Sequence, residues 1–327
     1  MIPITDLSWQ SLSWQEQLQH SIRRAEELLK ILQIDAPAIE SDFPVNVPLA
    51  YLNRIEAGNI DDPLLKQVLT NKAEFANDGV TSPLQEEAFS AGFGLIQKYQ
   101  GRVLVVTTGA CAINCRYCFR RHFPYEQYQP NSEDWAQLVA KIRTNPEVTE
   151  VILSGGDPLM LNDRRLNWIV TQLEQIPHLQ TIRLHTRLPI VLPARITQTL
   201  VTTFAQSRCQ IVLVSHANHG NEIDQEVRQA FKALQRAGVT LLNQSVLLRE
   251  VNDSAEALIQ LSKQLHSAGV LPYYLHLMDP VQGAQHFDVS ESIGEQLIAA
   301  MRQQLPGYLV PRLARETPFQ PAKTIIA

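Results

Sequence analysis

Cysteine is scarce in this chain, with four among 327 residues, too few for a disulfide framework. Excess charge is also lacking: 28 Lys and Arg face 33 Asp and Glu, a net of −5. That balance excludes a nonspecific nucleic-acid binder. No apolar run reaches transmembrane length, which argues against a membrane partner. Met1-Ile-Pro-Ile-Thr-Asp6 has neither a basic n-region nor an apolar h-region, so the expectation is cytoplasmic residence. Low-complexity tracts and short repeats are missing too. What is there is an ordinary globular composition, 45% hydrophobic, on a chain long enough for one large α/β domain and an extension.

Three of the four cysteines lie together in Cys111-Ala-Ile-Asn-Cys115-Arg-Tyr-Cys118, directly after the β-branched run Val103–Thr108. The spacing is C-x3-C-x2-C. Three thiolates on one tight loop can hold three irons of a 4Fe–4S cluster and leave the fourth without a protein ligand. The small molecule expected at such an open iron is S-adenosylmethionine (SAM), chelated through its amino and carboxylate groups and cleaved by one electron to a 5′-deoxyadenosyl radical. Zinc usually takes four protein ligands, and the remaining cysteine, Cys209, lies far off in sequence. A disulfide would leave an odd thiol beside its partner.

From about residue 102 strand-like and helix-like segments alternate. The strands read as Val103–Thr107, Val151–Leu153, Ile182–His185, Ile211–Val214, Thr240–Leu247 and Tyr273–Met278. The helices read as Glu133–Arg143, Arg164–Gln175, Ala194–Phe204, Gln225–Arg236, Ala255–His266 and Glu291–Gln304. Ala237-Gly238 and Ala268-Gly269 stand where helix ends are expected. Six strand–helix units imply parallel strands with right-handed crossovers. They fall short of a closed eightfold barrel, so the fold class is α/β: an open, partial (β/α)6 TIM-like barrel with its chemistry at the carboxyl ends of the strands.

Three regions are expected. Residues 1–98 form a helical N-terminal extension, with an amphipathic helix over Trp14–Ile34 and another over Pro63–Leu69. Residues 99–305 form the barrel. Residues 306–327, with four prolines, form an irregular tail. The informative residues fall at predicted strand ends. Gly155-Gly156 and Asp157 follow the second strand, where side-chain-free backbone lets a ligand's ammonium approach main-chain carbonyls. Arg120 follows the cysteines and has the fork to clamp a carboxylate bidentately; alternatively Arg120-Arg121 is a solvated basic pair. Asp279 follows the last strand and suits a cationic ligand end. Cys209 reads as a small buried hydrophobe, and His219, His276 and His286 take no role.

Six segments carry a family likeness: CAINCRYCFRRHFPY, VILSGGDPL, IRLHTRLPIVLPARI, SHANHGNEI, LLNQSVLLREVND and PYYLHLMDP. Together they resemble the lysine 2,3-aminomutase family of radical SAM enzymes, from about Tyr99 to Lys323. The short chain is most like the branch that serves β-lysylation of elongation factor P. The resemblance implies a radical SAM barrel that isomerises L-lysine to β-lysine. The implied cofactors are a 4Fe–4S cluster on Cys111, Cys115 and Cys118, SAM and pyridoxal 5′-phosphate (PLP).

By the same resemblance Lys323 is the PLP lysine, with Arg102 and Tyr99 also binding PLP. Gly155, Gly156, Asp157, His216 and Gln244 lie about SAM, although His216 reads equally well as a structural histidine. Arg120 holds the substrate carboxylate, and Asp279 with Glu316 holds its side-chain ammonium. One departure stands out. The family places an aspartate and a glycine-rich turn before its lysine, whereas this chain has Glu316-Thr-Pro-Phe-Gln-Pro-Ala-Lys323, so the tail is expected to reach the barrel mouth by another backbone path. Expected partners are L-lysine, a reductant protein, and functionally elongation factor P with its ligase; a homo-oligomer and direct contact with the factor stay open. Competing readings are a different radical SAM reaction, such as another aminomutase, and a non-catalytic iron–sulfur sensor.

Overall fold

The computed structural model describes residues 9–76 and 78–327. One sheet takes ten strands in sequence order: β1 (Ser90–Gly92), β2 (Leu95–Tyr99), β3 (Arg102–Thr108), β4 (Glu150–Gly155), β5 (Thr181–Thr186), β6 (Gln210–Ser215), β7 (Thr240–Val246), β8 (Leu271–His276), β9 (Arg312–Arg315) and β10 (Thr324–Ile325). Strands β3 to β9 run parallel. β1 and β2 form an antiparallel edge at one end and β10 at the other. The expected open (β/α)6 barrel is therefore present, its six crossover helices being Ser132–Arg143, Asp163–Glu174, Gln198–Ala205, Gln225–Arg236, Ala255–Ser267 and Glu291–Gln304. Within the tail, expected as irregular, two short stretches are strand, and β9 adds a seventh parallel member to the sheet.

Local chemistry explains these elements. Val227, Ala230, Phe231 and Leu234 form the buried stripe of Gln225–Arg236, capped by Asp224, whose side chain accepts from the Val227 N–H. Gly238 and Gly269, at φ of +78° and +79°, end their helices as expected. β5 alternates: Ile182 and Leu184 are buried under the helices, while Arg183 and His185 line the lumen. The helix expected over Trp14–Ile34 is instead two, Trp14–Gln19 and Ala25–Ile31. Between them Ile22 exchanges two 2.9 Å backbone hydrogen bonds with Val47. Both side chains are buried, and a helical backbone at Ile22 would not leave its N–H and C=O free for that bridge.

The extension grips the cysteine loop. Asn46 Nδ2 donates to the Cys111 and Ala112 carbonyls at 3.3 and 3.0 Å, and the Arg116 N–H donates to Gln67 O at 2.9 Å. Arg116, between the second and third cysteines, is fully buried. Its Nε donates to Glu74 Oε1 at 2.8 Å and its Nη2 to Glu74 Oε2, which Arg121 also reaches at 3.0 Å. Removing the charge of Glu74 would strand two buried guanidinium groups. Glu74→Gln is therefore expected to destabilise the chain by about 3–5 kcal/mol, the range for breaking one side of a buried ion pair, read as a fall in the urea midpoint.

Candidate active site

A cavity of about 510 Å³ runs through the barrel from the cysteine loop to the starts of β3 and β9, the size of a small-ligand site. Cys111, Cys115 and Cys118 line one end, all free and partly exposed. Burial raises the Cys111 thiol, with Cys118 beside it adding to the effect. Cys118 is pushed up to about 11 by burial and by Cys115. Thiols so placed stay protonated until a cation compensates them, and metal binding then releases their protons. Arg187 Nη1 donates to Cys115 Sγ at 2.8 Å, while its Nη2 is fixed by Glu222 at 2.9 Å and Gln67 at 2.6 Å. Three thiols on one loop at one end of the cavity are the donor set of a 4Fe–4S cluster with one iron left for a small ligand.

The Gly155-Gly156 pair faces this loop. A Cβ on Gly155 would strike Thr108 O, one on Gly156 would strike Ala110 O, and Gly155 has φ of +128°. The glycines let β4 approach the loop after β3, which accounts for them whether or not a ligand lies there. Asp157 lines the cavity but its oxygens are engaged: Thr186 Oγ1 donates at 2.6 Å, the Arg187 N–H at 2.7 Å and the Leu159 N–H at 3.0 Å. It joins the ends of β4 and β5. His216 and Gln244 meet on the lumen wall, Nε2 to Nε2 at 3.0 Å, and burial with Arg187 nearby pushes His216 down to about 3.

Lys323 reaches the other end of the cavity. It does so because Thr324 pairs with Arg315 and Ile325 with Ala314, closing a hairpin that carries Glu316 and Lys323 together. The family's glycine turn is replaced by a strand return, with Phe319 at φ of +63° in the turn. Lys323 Nζ donates to Glu316 Oε2 at 2.5 Å. Glu316 Oε1 accepts from Lys98 Nζ and Tyr99 Oη. Although burial raises it, Glu316 is held down to about 2, Lys323 being the chief stabiliser of its charge. Arg102 stacks on the Tyr99 ring at 4.2 Å, and its guanidinium has no ion pair or hydrogen bond among the described residues, so its donors can serve a phosphate. Lys323, Arg102 and the cavity volume fit PLP.

Asp279 is the one predicted ligand group whose carboxyl has no hydrogen bond or ion pair among the described residues. It is pushed up to about 7, first by burial; Lys323 lowers it and Glu316 raises it further. Arg120 is not free: its Nε and Nη2 donate to Glu86 at 2.7 and 2.6 Å, and its Nη1 to Ser154 Oγ at 3.1 Å and Gly155 O at 3.2 Å. The reading of Arg120-Arg121 as a solvated pair is excluded, since both guanidinium groups are sequestered. Sequence reasoning missed Glu86, Lys98, His185 and His276, all on the cavity wall. The signal for Lys98 and His276 was their adjacency to Tyr99 and to the last strand end; Glu86, 34 residues before Arg120, carries none.

The Radical SAM superfamily matches residues 105–262. An Escherichia coli L-lysine 2,3-aminomutase is 50% identical over 320 residues, 95% of this chain and 93% of that one. A Haemophilus influenzae L-lysine 2,3-aminomutase is 45% identical, covering 96% of each. The enzyme of the same name from Clostridium subterminale is 34% identical over 98% of this chain and 79% of its own.

Asp279 generates a prediction of opposite sign for stability and for binding. Its folded-state pKa of about 7 lies above the unfolded carboxylate value, so its contribution to stability is full at low pH and is lost as pH rises to about 7. Asp279→Asn should raise Tm, by a margin that widens from pH 4 to 7 and then levels. The same variant should lose about 10- to 100-fold in kcat/KM for a cationic amino acid, the cost of one missing charged hydrogen bond. A Tm gain independent of pH would contradict the assignment.

Proposed function

The chain belongs to the lysine 2,3-aminomutase family of radical SAM enzymes, and we propose that it is an isomerase that converts L-lysine to β-lysine by moving the α-amino group to the neighbouring carbon. One observation carries this reading: a single cavity has three thiols at one end and Lys323, returned by β10, at the other. When bound, the cluster with SAM supplies hydrogen-atom abstraction, and PLP supplies the π-system through which an amino group migrates.

The chain's own residues do the rest. Cys111, Cys115 and Cys118 would hold the cluster. Lys323 would hold PLP, its amine being the proton carrier at that end of the cavity. Arg102, beside Tyr99 and Lys98, would hold the PLP phosphate. Gly155, Gly156, His216 and Gln244 wall the SAM end, with Asp157 fixing the turn beneath. Arg120 binds the substrate's carboxylate and Asp279 its ε-ammonium, while Glu316 steadies Lys323 next to it. Burial keeps His185, His216 and His276 neutral, the last two at about 3. These imidazoles therefore add no positive charge to the lumen wall. The barrel wall around the cavity holds substrate within reach of the reacting atoms and limits its exposure to water.

We also place the product in β-lysylation of elongation factor P, supplied as the free amino acid and attached by a separate ligase. We assign the electron to a separate reductant protein. No described helix is long and apolar enough to cross a membrane.

The test is anaerobic reconstitution with iron and sulfide, then dithionite, SAM, PLP and L-lysine. β-Lysine should form without stoichiometric loss of SAM. Deoxyadenosine released at every turnover would indicate a different radical reaction, and no cleavage of SAM a sensor. Lys323→Ala should keep the cluster absorbance and lose about 100-fold or more in turnover, the scale of removing a proton-transfer group; undiminished turnover would refute the tail assignment.

A further inference from the structure

We propose that Glu86 is an internal stand-in for the substrate's carboxylate: it occupies the Arg120 fork in the substrate-free chain and yields it when an α-amino acid enters. This deepens the proposed function and rests on Arg120 being the carboxylate clamp. A guanidinium has five N–H donors. Glu86 takes one at Nε and one at Nη2, at 2.7 and 2.6 Å, and Ser154 Oγ and Gly155 O take the two at Nη1. One donor remains, so a second carboxylate cannot be held bidentately while Glu86 stays.

Glu86 differs from the carboxylates that anchor the other buried arginines. Glu74 accepts from Arg116, Arg121 and the Asn71 N–H. Glu222 accepts from Arg187, Gln67 and the backbone of Asn218 and His219. Each is built into the scaffold by several donors from separate segments. Glu86 accepts from Arg120 alone among the described residues, and it faces the cavity. Its backbone is a single turn, Glu86–Phe89, entered through Gln85 at φ of +48°, a left-handed geometry that a non-glycine residue holds at some cost. The turn's other side-chain ties are peripheral, an exposed bond from Ser82 Oγ to Glu87 at 2.8 Å and contacts of the Phe89 ring with Phe319 and Lys98, and such a segment is among the cheaper parts of a fold to open.

The exchange is chemically even. One carboxylate replaces another on the same fork, so the charge at the fork is the same before and after the exchange, and Arg120 has a counter-ion in both end states. Glu86 therefore sets how much a ligand gains from having a carboxylate. With Glu86 in place, an amino acid must displace it, and its apparent affinity is scaled by the fraction of chains whose clamp is open.

The experiment compares Glu86→Gln and Arg120→Gln with the parent holoenzyme, using L-lysine and L-lysine amide as paired ligands. Glu86→Gln should lower KM for L-lysine by about ten-fold, the factor for a clamp open about a tenth of the time, and should leave the inhibition constant of the amide unmoved. In the parent, L-lysine should speed hydrogen exchange at residues 86–90. If Arg120→Gln collapses lysine binding but Glu86→Gln raises KM as well, Glu86 merely positions Arg120 and the exchange is wrong. Slower exchange at residues 86–90 on adding lysine would also overturn it. If Arg120→Gln leaves lysine KM unchanged, the clamp reading itself fails and takes this proposal with it.

Discussion

A charge removed from water must meet an opposite charge or a set of hydrogen bonds, and this barrel places many charges out of water. Arg116, Arg120, Arg187 and Arg195 are all buried, and each is answered by a carboxylate: Glu74, Glu86, Glu222 and Asp163. These pairs join segments far apart in sequence. Glu74 brings the extension to the cysteine loop, and Glu222, after β6, fixes Arg187, which in turn touches Cys115. The position of the cysteine trio is thus set less by its own loop than by guanidinium groups whose partners come from three other parts of the chain.

The same constraint organises the far end of the cavity. Lys98, Tyr99 and Lys323 converge on Glu316, so a cluster of donors that would repel one another is assembled about one carboxylate. Asp279 lies beside this cluster without joining it, and its raised pKa records what that isolation costs. A carboxyl left short of partners in a ligand cavity is the feature expected of a group that binds a cation only when substrate is present.

Much of the fold was legible because period and punctuation are local signals. Gln225–Arg236 and Glu291–Gln304 were read at the bounds the structure gives, and Gly238 and Gly269 fell where left-handed residues end helices. The cysteine spacing is local too, and so is Asp279 at a strand end. The bonds that were not legible are non-local. Ile22 leaves its helix for Val47, and β9 is four residues long, too short for its alternation to register. Glu86 meets Arg120 only once the sheet brings β3 beside the segment before β1. Arg120 was recognised as a fork, but its occupant was not, because nothing in the sequence around Glu86 marks it.

The tail shows how a weak local signal becomes a fixed position. Terminal residues are ordinarily mobile, and Phe319 is exposed. Yet the Leu313 N–H donates to Ala327 O at 2.9 Å and the Ile326 N–H to Leu313 O at 2.8 Å. Ile326 and Ala327 pack against the apolar cluster that includes Leu247, Leu275 and Ile298. Those contacts lie beyond Lys323, so the lysine is held from both sides: by β9 through Glu316, and by the last residues through β10. A glycine turn would let the chain reach the same point by conformational freedom. Here the strand pair supplies direction instead, and the proline-rich segment between has only to span the gap. The departure from the family pattern is therefore a different backbone route, a strand pair in place of a glycine turn, that sets Lys323 on the cavity wall.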